Sequence, residues 1–229
     1  MSWFVRLSRF ASVHMVRSQD KEMSCGMASI VMINFKIKKG LMFAGMAAGA
    51  QLQTSGVPGG SFVGQTLAKT AFDYAVKSEQ EVYKLYEKHK GSAHDFNTTG
   101  AQPSLYPKVL SDLGLGQWER ANVGETGIAQ AAIDATADGT PCMLGVSWDN
   151  GGGHAVVCDE THSFFGTTYL CICDPYNGEL YVGACTPGQP VRYDASDKPI
   201  STGTLFGGDA RDYGATKGKL NGGITRKKK

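Results

Sequence analysis

The apolar residues of this chain change their period about halfway along it. In the first part they recur every three or four positions, which is typical of amphipathic helices. Helices are predicted in this way over residues 25–35, 64–90 with a break near Ser78, 103–113 and 126–137. Gly114 and Gly139 follow the last two and are suited to end them. The first half is therefore predicted to be mainly helical.

The second half contains short β-rich runs separated by turn residues. These runs are residues 140–148, 154–158, 168–173 and 179–182. Their close spacing predicts an antiparallel meander. Helices first and antiparallel strands afterwards indicate an α+β fold whose two layers pack together. From about Asp194 apolar residues thin out, so we expect a domain over residues 1–193 and a loose Gly/Lys-rich arm over 194–229.

Composition narrows the function classes. The chain has 229 residues, 41% of them hydrophobic, and a net charge of +2, which suits a globule with a core and argues against a nucleic-acid partner. No run approaches the roughly 18 apolar residues of a membrane span. The first ten residues mix charged and apolar side chains, unlike a Sec signal. We expect no membrane span and synthesis in the cytoplasm without such a signal.

The six cysteines do not predict a disulfide framework, because the chain is long and lacks that signal. Cys171 and Cys173 are two candidate ligands on one strand. Without a second pair or a well-spaced histidine they are a weak zinc signal. No metal and no cofactor are therefore expected.

Three residues combine into candidate chemistry. Cys25 begins the first predicted helix, which Ser24 is placed to cap, and a helix N-terminus beside an imidazolium is where proteins produce reactive thiolates. His154 follows three glycines and opens a strand, and Asp174 precedes Pro175 at the end of another. Taken singly, each residue also has a purely structural explanation: Cys25 as a buried thiol, His154 as a space-filling imidazole and Asp174 as a carboxylate that opens a turn.

Their order and spacing resemble those of papain-like cysteine peptidases. Gln19 precedes Cys25 and Gly26, and the histidine and the aspartate follow in the family's sequence. The similarity is to the C39-like branch, which processes bacteriocins after a double glycine, and to related bacterial effector toxins. It extends over about residues 18–182. Met27 stands where plant and lysosomal relatives have tryptophan, and no ATP-binding motif of a fused transporter occurs.

The resemblance implies a papain-like fold, with the catalytic helix packed on the sheet, and a role for each matching residue. Cys25 would attack the scissile carbonyl, and His154 would take its proton and later give it to the leaving amine. Asp174 would fix the imidazole tautomer, although Asp149 is an alternative. Gln19 would stabilise the oxyanion beside the Cys25 backbone N–H.

Three hypotheses for function follow. The first is a cysteine peptidase that cleaves target-cell proteins, for example after Gly-Gly, as a bacterial effector or toxin delivered into another cell in bacterial competition. A cognate immunity protein would then be a further partner besides the protein or peptide substrate. The second is a peptidoglycan amidase or endopeptidase, or a deubiquitinase-like isopeptidase, with the same residues. The third is a binding module without activity.

Overall fold

The computed structural model describes residues 2–54, 58–194, 200–206 and 217–229. Its helices agree with the predicted ones in position and order. They are α1 (Cys25–Thr54), α2 (Gly60–Ala75), α3 (Glu79–Lys90), α4 (Tyr106–Asp112), preceded by a 3₁₀ turn at Pro103–Leu105, and α5 (Gly124–Thr136). α1 runs much further than the predicted residue 35.

The predicted break near Ser78 is confirmed by a capping box. The Ser78 hydroxyl accepts from the Glu81 backbone N–H, and the Glu81 carboxylate accepts from the Ser78 backbone N–H. This pair satisfies two N–H groups at the start of α3 and so separates it from α2. Gly91 ends α3 in a left-handed conformation, with φ of 78°.

The strands form two antiparallel sheets. They are β1 (Trp3–Leu7), β2 (Val13–Arg17), β3 (Trp118–Asn122), β4 (Cys142–Trp148), β5 (Gly153–Phe164), β6 (Thr167–Asp174), β7 (Glu179–Cys185), β8 (Arg192–Asp194), β9 (Ile200–Phe206) and β10 (Lys217–Lys227). The large sheet has the order β3-β10-β4-β5-β6-β7, with β8 paired to β10, and the small one β2-β1-β9. The predicted meander is β4 to β7, and the α+β class is confirmed.

The large sheet carries a core on each face. Ala155 and Val157 of β5 belong to the core cluster that includes α1, α3 and α4. Val156 and Cys158, which alternate with them, belong to the cluster around α5. This alternation is what a strand buried on both faces requires. The Ser29 hydroxyl of α1 also donates to the Ala155 carbonyl at 3.2 Å, which fixes α1 on the sheet.

The prediction of a loose arm from residue 194 was wrong for residues 217–227. They form β10, which lies between β3 and β4 inside the large sheet. Its glycines provide close packing instead of flexibility, because a Cβ on Gly218 would collide with the Ser147 carbonyl and one on Gly223 with the Arg120 guanidinium. Glycine content indicated a tail because such backbone contacts are invisible in the sequence.

The far end of α1 forms a hairpin with α2. A Cβ on Gly49 would collide with the Gly64 carbonyl oxygen, and one on Gly64 with the Gly49 carbonyl oxygen, so the helices touch through their backbones. Leu41, Phe43 and Phe62 are more than half exposed on this hairpin. In the part of the chain described, no helix has both the length and the apolarity to span a bilayer.

Candidate active site

Cys25 is the first residue of α1 and is partly exposed. In the first turn, the Met27 and Ala28 N–H groups donate to the Ser24 carbonyl, and the Cys25 and Gly26 N–H groups are left without an acceptor within the helix. Tyr106 of α4 packs against this turn so closely that a Cβ on Gly26 would collide with its hydroxyl. The glycine that follows the cysteine is therefore a packing requirement of the site.

A buried carboxylate fixes the loop that precedes Cys25. Glu79, at the start of α3, accepts hydrogen bonds from Ser24 Oγ at 2.8 Å, Tyr83 Oη at 2.8 Å and the Asp20 backbone N–H at 3.1 Å, and pairs with Arg17 Nε at 3.3 Å. Ser24 precedes α1 as predicted, but its side chain does not cap the helix. Its carbonyl accepts from the first turn of α1, while its hydroxyl binds Glu79.

His154 and Asp174 form a buried pair. His154 lies near the start of β5 and Asp174 ends β6, and His154 Nε2 is 2.7 Å from Asp174 Oδ1. Asp174 also accepts from the Tyr176 backbone N–H at 2.7 Å and from the Tyr193 hydroxyl. Three donors thus hold this carboxylate, and Nδ1 is the imidazole nitrogen left for other contacts.

The electrostatics of this pair favour the charged forms. Burial lowers the pKa of His154, but the charge of Asp174, the hydrogen bond to it and the Cys25 thiol together raise that pKa to about 10. Burial raises the pKa of Asp174, but the charge of His154 and the hydrogen bonds from His154, Tyr193 and the Tyr176 backbone lower it. At neutral pH the site holds an imidazolium beside a carboxylate.

Aromatic side chains surround His154. The Trp148 ring stacks on the imidazole with 5.1 Å between centroids and an angle of 23°. Tyr176 meets it edge-on at 5.4 Å. These contacts fix the plane of the imidazole and shield its ion pair from water, which strengthens the interaction with Asp174. Trp148, Tyr176 and Tyr193 could not be predicted from the sequence, since their only signal is an aromatic side chain in or beside a strand.

Cys25 and His154 line the same cleft, which has a volume of about 280 Å³. Its walls come from the loop before α1, the 3₁₀ turn and α4, and from strands β3, β4, β5 and β10. Backbone at Gly100, Gly145 and Gly153 forms part of the lining. Apart from His154, the only charged side chain among the described lining residues is Arg120. The structure therefore brings thiol and imidazole together from the helical layer and the sheet.

Gln19 lies apart from this cleft lining. Its Nε2 donates to the backbone carbonyls of Lys21 at 2.8 Å and Glu22 at 2.6 Å. Its backbone N–H donates to the Pro175 carbonyl at 2.7 Å, which joins the loop before Cys25 to the segment after Asp174. Both amide protons are used, so a role at the oxyanion requires the side chain to leave one carbonyl. That role stays a prediction.

The structure distinguishes the two candidate carboxylates and adds one residue to the site. Asp149 is exposed at the turn after β4, whereas Asp174 holds the imidazole, so Asp149 is not the orienting carboxylate here. Asn221 of β10 was missed because it lies in the segment predicted to be an arm. Its Oδ1 accepts from the Gly223 backbone N–H at 3.0 Å, and the residue lines the cleft.

Comparisons with known proteins do not show a family for this chain. No family model and no curated protein matches the chain. Among solved structures, the crystal structure of the Pseudomonas avirulence protein AvrPphB is similar at 14% identity, over 66% of this chain and 78% of that chain, with a TM-score of 0.23. A likeness at this level carries no argument about function, which must come from the site.

Proposed function

We propose that this chain is a cysteine-type hydrolase of the papain-like kind, with Cys25 as nucleophile. The observation that supports this most is the shared cleft: a thiol at a helix start faces an imidazole whose other nitrogen is held by a buried carboxylate. This is the arrangement of a nucleophile, a base and an orienting group.

The reaction follows from the positions of these groups. Cys25 Sγ, as thiolate, forms a bond to the carbonyl carbon while the carbonyl π electrons move to oxygen. The His154 imidazolium gives its Nδ1 proton to the leaving amine as the C–N bond breaks, which leaves a thioester. Water then loses a proton to His154 and attacks the thioester, and the C–S bond breaks to restore Cys25 and release the acid.

The Cys25 backbone N–H is the oxyanion donor in this proposal, because it has no acceptor within α1. Asn221 adds a side-chain amide to the lining of the same cleft. The glycine-lined cleft supports a substrate with small residues at the scissile bond, such as Gly-Gly. A role as an effector delivered into a target cell, and an immunity protein that binds it, are proposed on the family resemblance alone.

Alkylation at mildly acid pH tests the proposed nucleophile. At about pH 6 an ordinary thiol is almost wholly protonated, whereas a thiolate beside an imidazolium reacts. We expect iodoacetamide to label Cys25 at least about tenfold faster than a small-molecule thiol, and His154→Ala to remove this advantage. The five other cysteines are buried and serve as internal references in peptide mass spectrometry.

A variant that changes a charge outside the cleft serves as the control for the labelling experiment. Arg226→Gln removes a cation from β10 outside the cleft and should leave the labelling of Cys25 unchanged. If Cys25 of the wild type reacts no faster than the small-molecule thiol, and His154→Ala reacts equally, the hydrolase proposal is wrong and the binding module is favoured.

Arg120 predicts a preference for anionic substrates. Because it is the one charged residue besides His154 among the described residues that line the cleft, it should attract a carboxylate into the cleft. The quantity to measure is the rate of Cys25 alkylation by iodoacetate divided by the rate with iodoacetamide. We expect this ratio to be about threefold to tenfold lower in Arg120→Gln than in the wild type. Added salt should reduce the difference between the two proteins. An unchanged ratio of the two reagents in Arg120→Gln would contradict this role.

A further inference from the structure

A second cluster of metal-ligating side chains lies outside the cleft, where the N-terminal hairpin covers the large sheet. It joins His14 of β2 to Glu160 of β5 and Cys171 of β6. Glu160 and Cys171 are cross-strand partners. One ligand atom from each of the three residues lies within 4.8 Å of the others.

A bulge in β5 creates this cluster. The pairing of β5 with β6 shifts between Cys158 and Glu160, so Asp159 is an extra residue in the strand. A bulge of this kind allows two consecutive side chains to serve one face of a sheet. Asp159 and Glu160 accordingly both reach His14, where a regular strand would direct them to opposite faces.

His14 is oriented as histidine ligands of zinc are. Its Nδ1 is 2.7 Å from Asp159 Oδ2, and that carboxylate is also 3.0 Å from Lys36 Nζ. A carboxylate on one imidazole nitrogen fixes the ring and directs the other nitrogen toward a metal. The side chain of His14 is fully buried, so this orientation is imposed by the fold.

The other nitrogen of His14 has no hydrogen-bond partner among the described residues. His14 Nε2 is buried and lies 3.1 Å from Glu160 Oε1, yet not in hydrogen-bonding geometry. Nε2 and the Glu160 carboxylate are close enough for one cation to bind both, once Nε2 has given up any proton it carries. A buried polar atom without a partner, aimed at an acidic oxygen and a thiol, indicates a ligand.

We propose that His14 Nε2, a Glu160 carboxylate oxygen and Cys171 Sγ bind a Zn²⁺ ion. Nitrogen, oxygen and sulfur are the ligands that zinc takes in proteins. Zinc binds a thiolate and a neutral imidazole, so binding releases to solvent the Cys171 proton and, from the charged form of His14, the Nε2 proton. His162, whose Nε2 is 2.8 Å from Glu160 Oε1, is placed to move in as fourth ligand. The side chains of Glu160 and His162 are 27% and 29% exposed, which leaves an entry path for the ion.

The sequence predicted no metal because Cys171 and Cys173 lack a second pair or a well-spaced histidine. The histidine instead comes from β2, about 150 residues away, and is brought there by the hairpin. Such a site would hold β1 and β2 to the large sheet. It is independent of the proposed hydrolase activity, since none of its residues is among the described residues that line the cleft.

Metal titration of the whole chain tests the site, in a Cys25→Ala background that removes the active-site thiol. We expect one equivalent of Zn²⁺ to bind in competition with a chromophoric chelator. Co²⁺ should give the near-ultraviolet charge-transfer band of a cobalt–thiolate bond. Cys171→Ala should lose this band and weaken Zn²⁺ binding at least about tenfold.

Cys173→Ala is the matched control, because Cys173 lies on the same strand and face and is equally buried, but groups with Asp159 instead of Glu160. It should keep the band. If Cys171→Ala fails to fold, Glu160→Gln serves instead. It changes a partly exposed side chain outside the core and should also weaken Zn²⁺ binding. The proposal is wrong if the parent protein gives no cobalt–thiolate band, or if Cys173→Ala loses the band and Cys171→Ala keeps it.

Discussion

Replacing Cys25 by alanine is expected to reduce hydrolysis at least about 1,000-fold, with little change in the free energy of unfolding. The loss is large because covalent attack needs the sulfur, and no other described thiol lines the cleft. The fold should persist because Cys25 is partly exposed and alanine favours a helix start no less than cysteine. Activity assays and urea unfolding of the same preparations measure both quantities.

Testing three kinds of substrate distinguishes between cleavage of proteins, of peptidoglycan and of ubiquitin-like conjugates. Wild-type protein and Cys25→Ala are incubated with bacterial lysate, purified peptidoglycan and ubiquitin-like conjugates. New protein N-termini, released muropeptides or released tags are then sought by mass spectrometry. Cys185→Ala, which replaces a buried thiol of β7, should keep the wild-type activity. Turnover that survives in Cys25→Ala would exclude this residue as the nucleophile.

Asp174→Ala is expected to lower the free energy of unfolding by about 3–5 kcal/mol, in addition to impairing hydrolysis. The carboxylate is buried and accepts from His154, Tyr193 and the Tyr176 backbone, so its loss leaves a buried imidazolium and a buried hydroxyl without their acceptor. Urea unfolding followed by circular dichroism measures the change.

Two further variants separate orientation from stability. Asp174→Asn keeps the shape and an acceptor oxygen, so it should cost less stability but still reduce hydrolysis, because an amide neither stabilises the imidazolium nor fixes its tautomer. Asp149→Ala, at an exposed turn, should change stability by less than about 0.5 kcal/mol and leave activity intact. An Asp174→Ala protein as stable and active as the wild type would show that the buried pair is dispensable.

The sequence predicted those parts of the fold that depend on local periodicity. Each predicted helix and each strand of the meander is present, because spacing of apolar residues at three to four or at two positions is dictated by burial of one face. Cys25, His154 and Asp174 were predicted as a site from their order and from their neighbours Gly26, Gly153 and Pro175, and their catalytic roles stay a prediction.

Features that depend on contacts between distant segments were not predictable in this way. β10 lacks a clear hydrophobic pattern because several of its positions are glycines, two of which pack closely against Ser147 and Arg120 of neighbouring strands. Glu79 follows Ser78 at the break between two helices, and its sequence position does not reveal that it is buried against Arg17, Ser24 and Tyr83. Nor does the sequence reveal that His14 meets Glu160, since that contact needs both the hairpin and the bulge.

The position of β10 has a consequence for how the molecule is built during translation. β3 and β4 are synthesised well before β10, but each pairs with it and not with the other. While the nascent chain lacks this segment, β4 has an open edge, and the Asn221 wall of the cleft is missing. Cys25 and His154 are thus synthesised early, and a strand that is synthesised late completes the cleft that any substrate must enter.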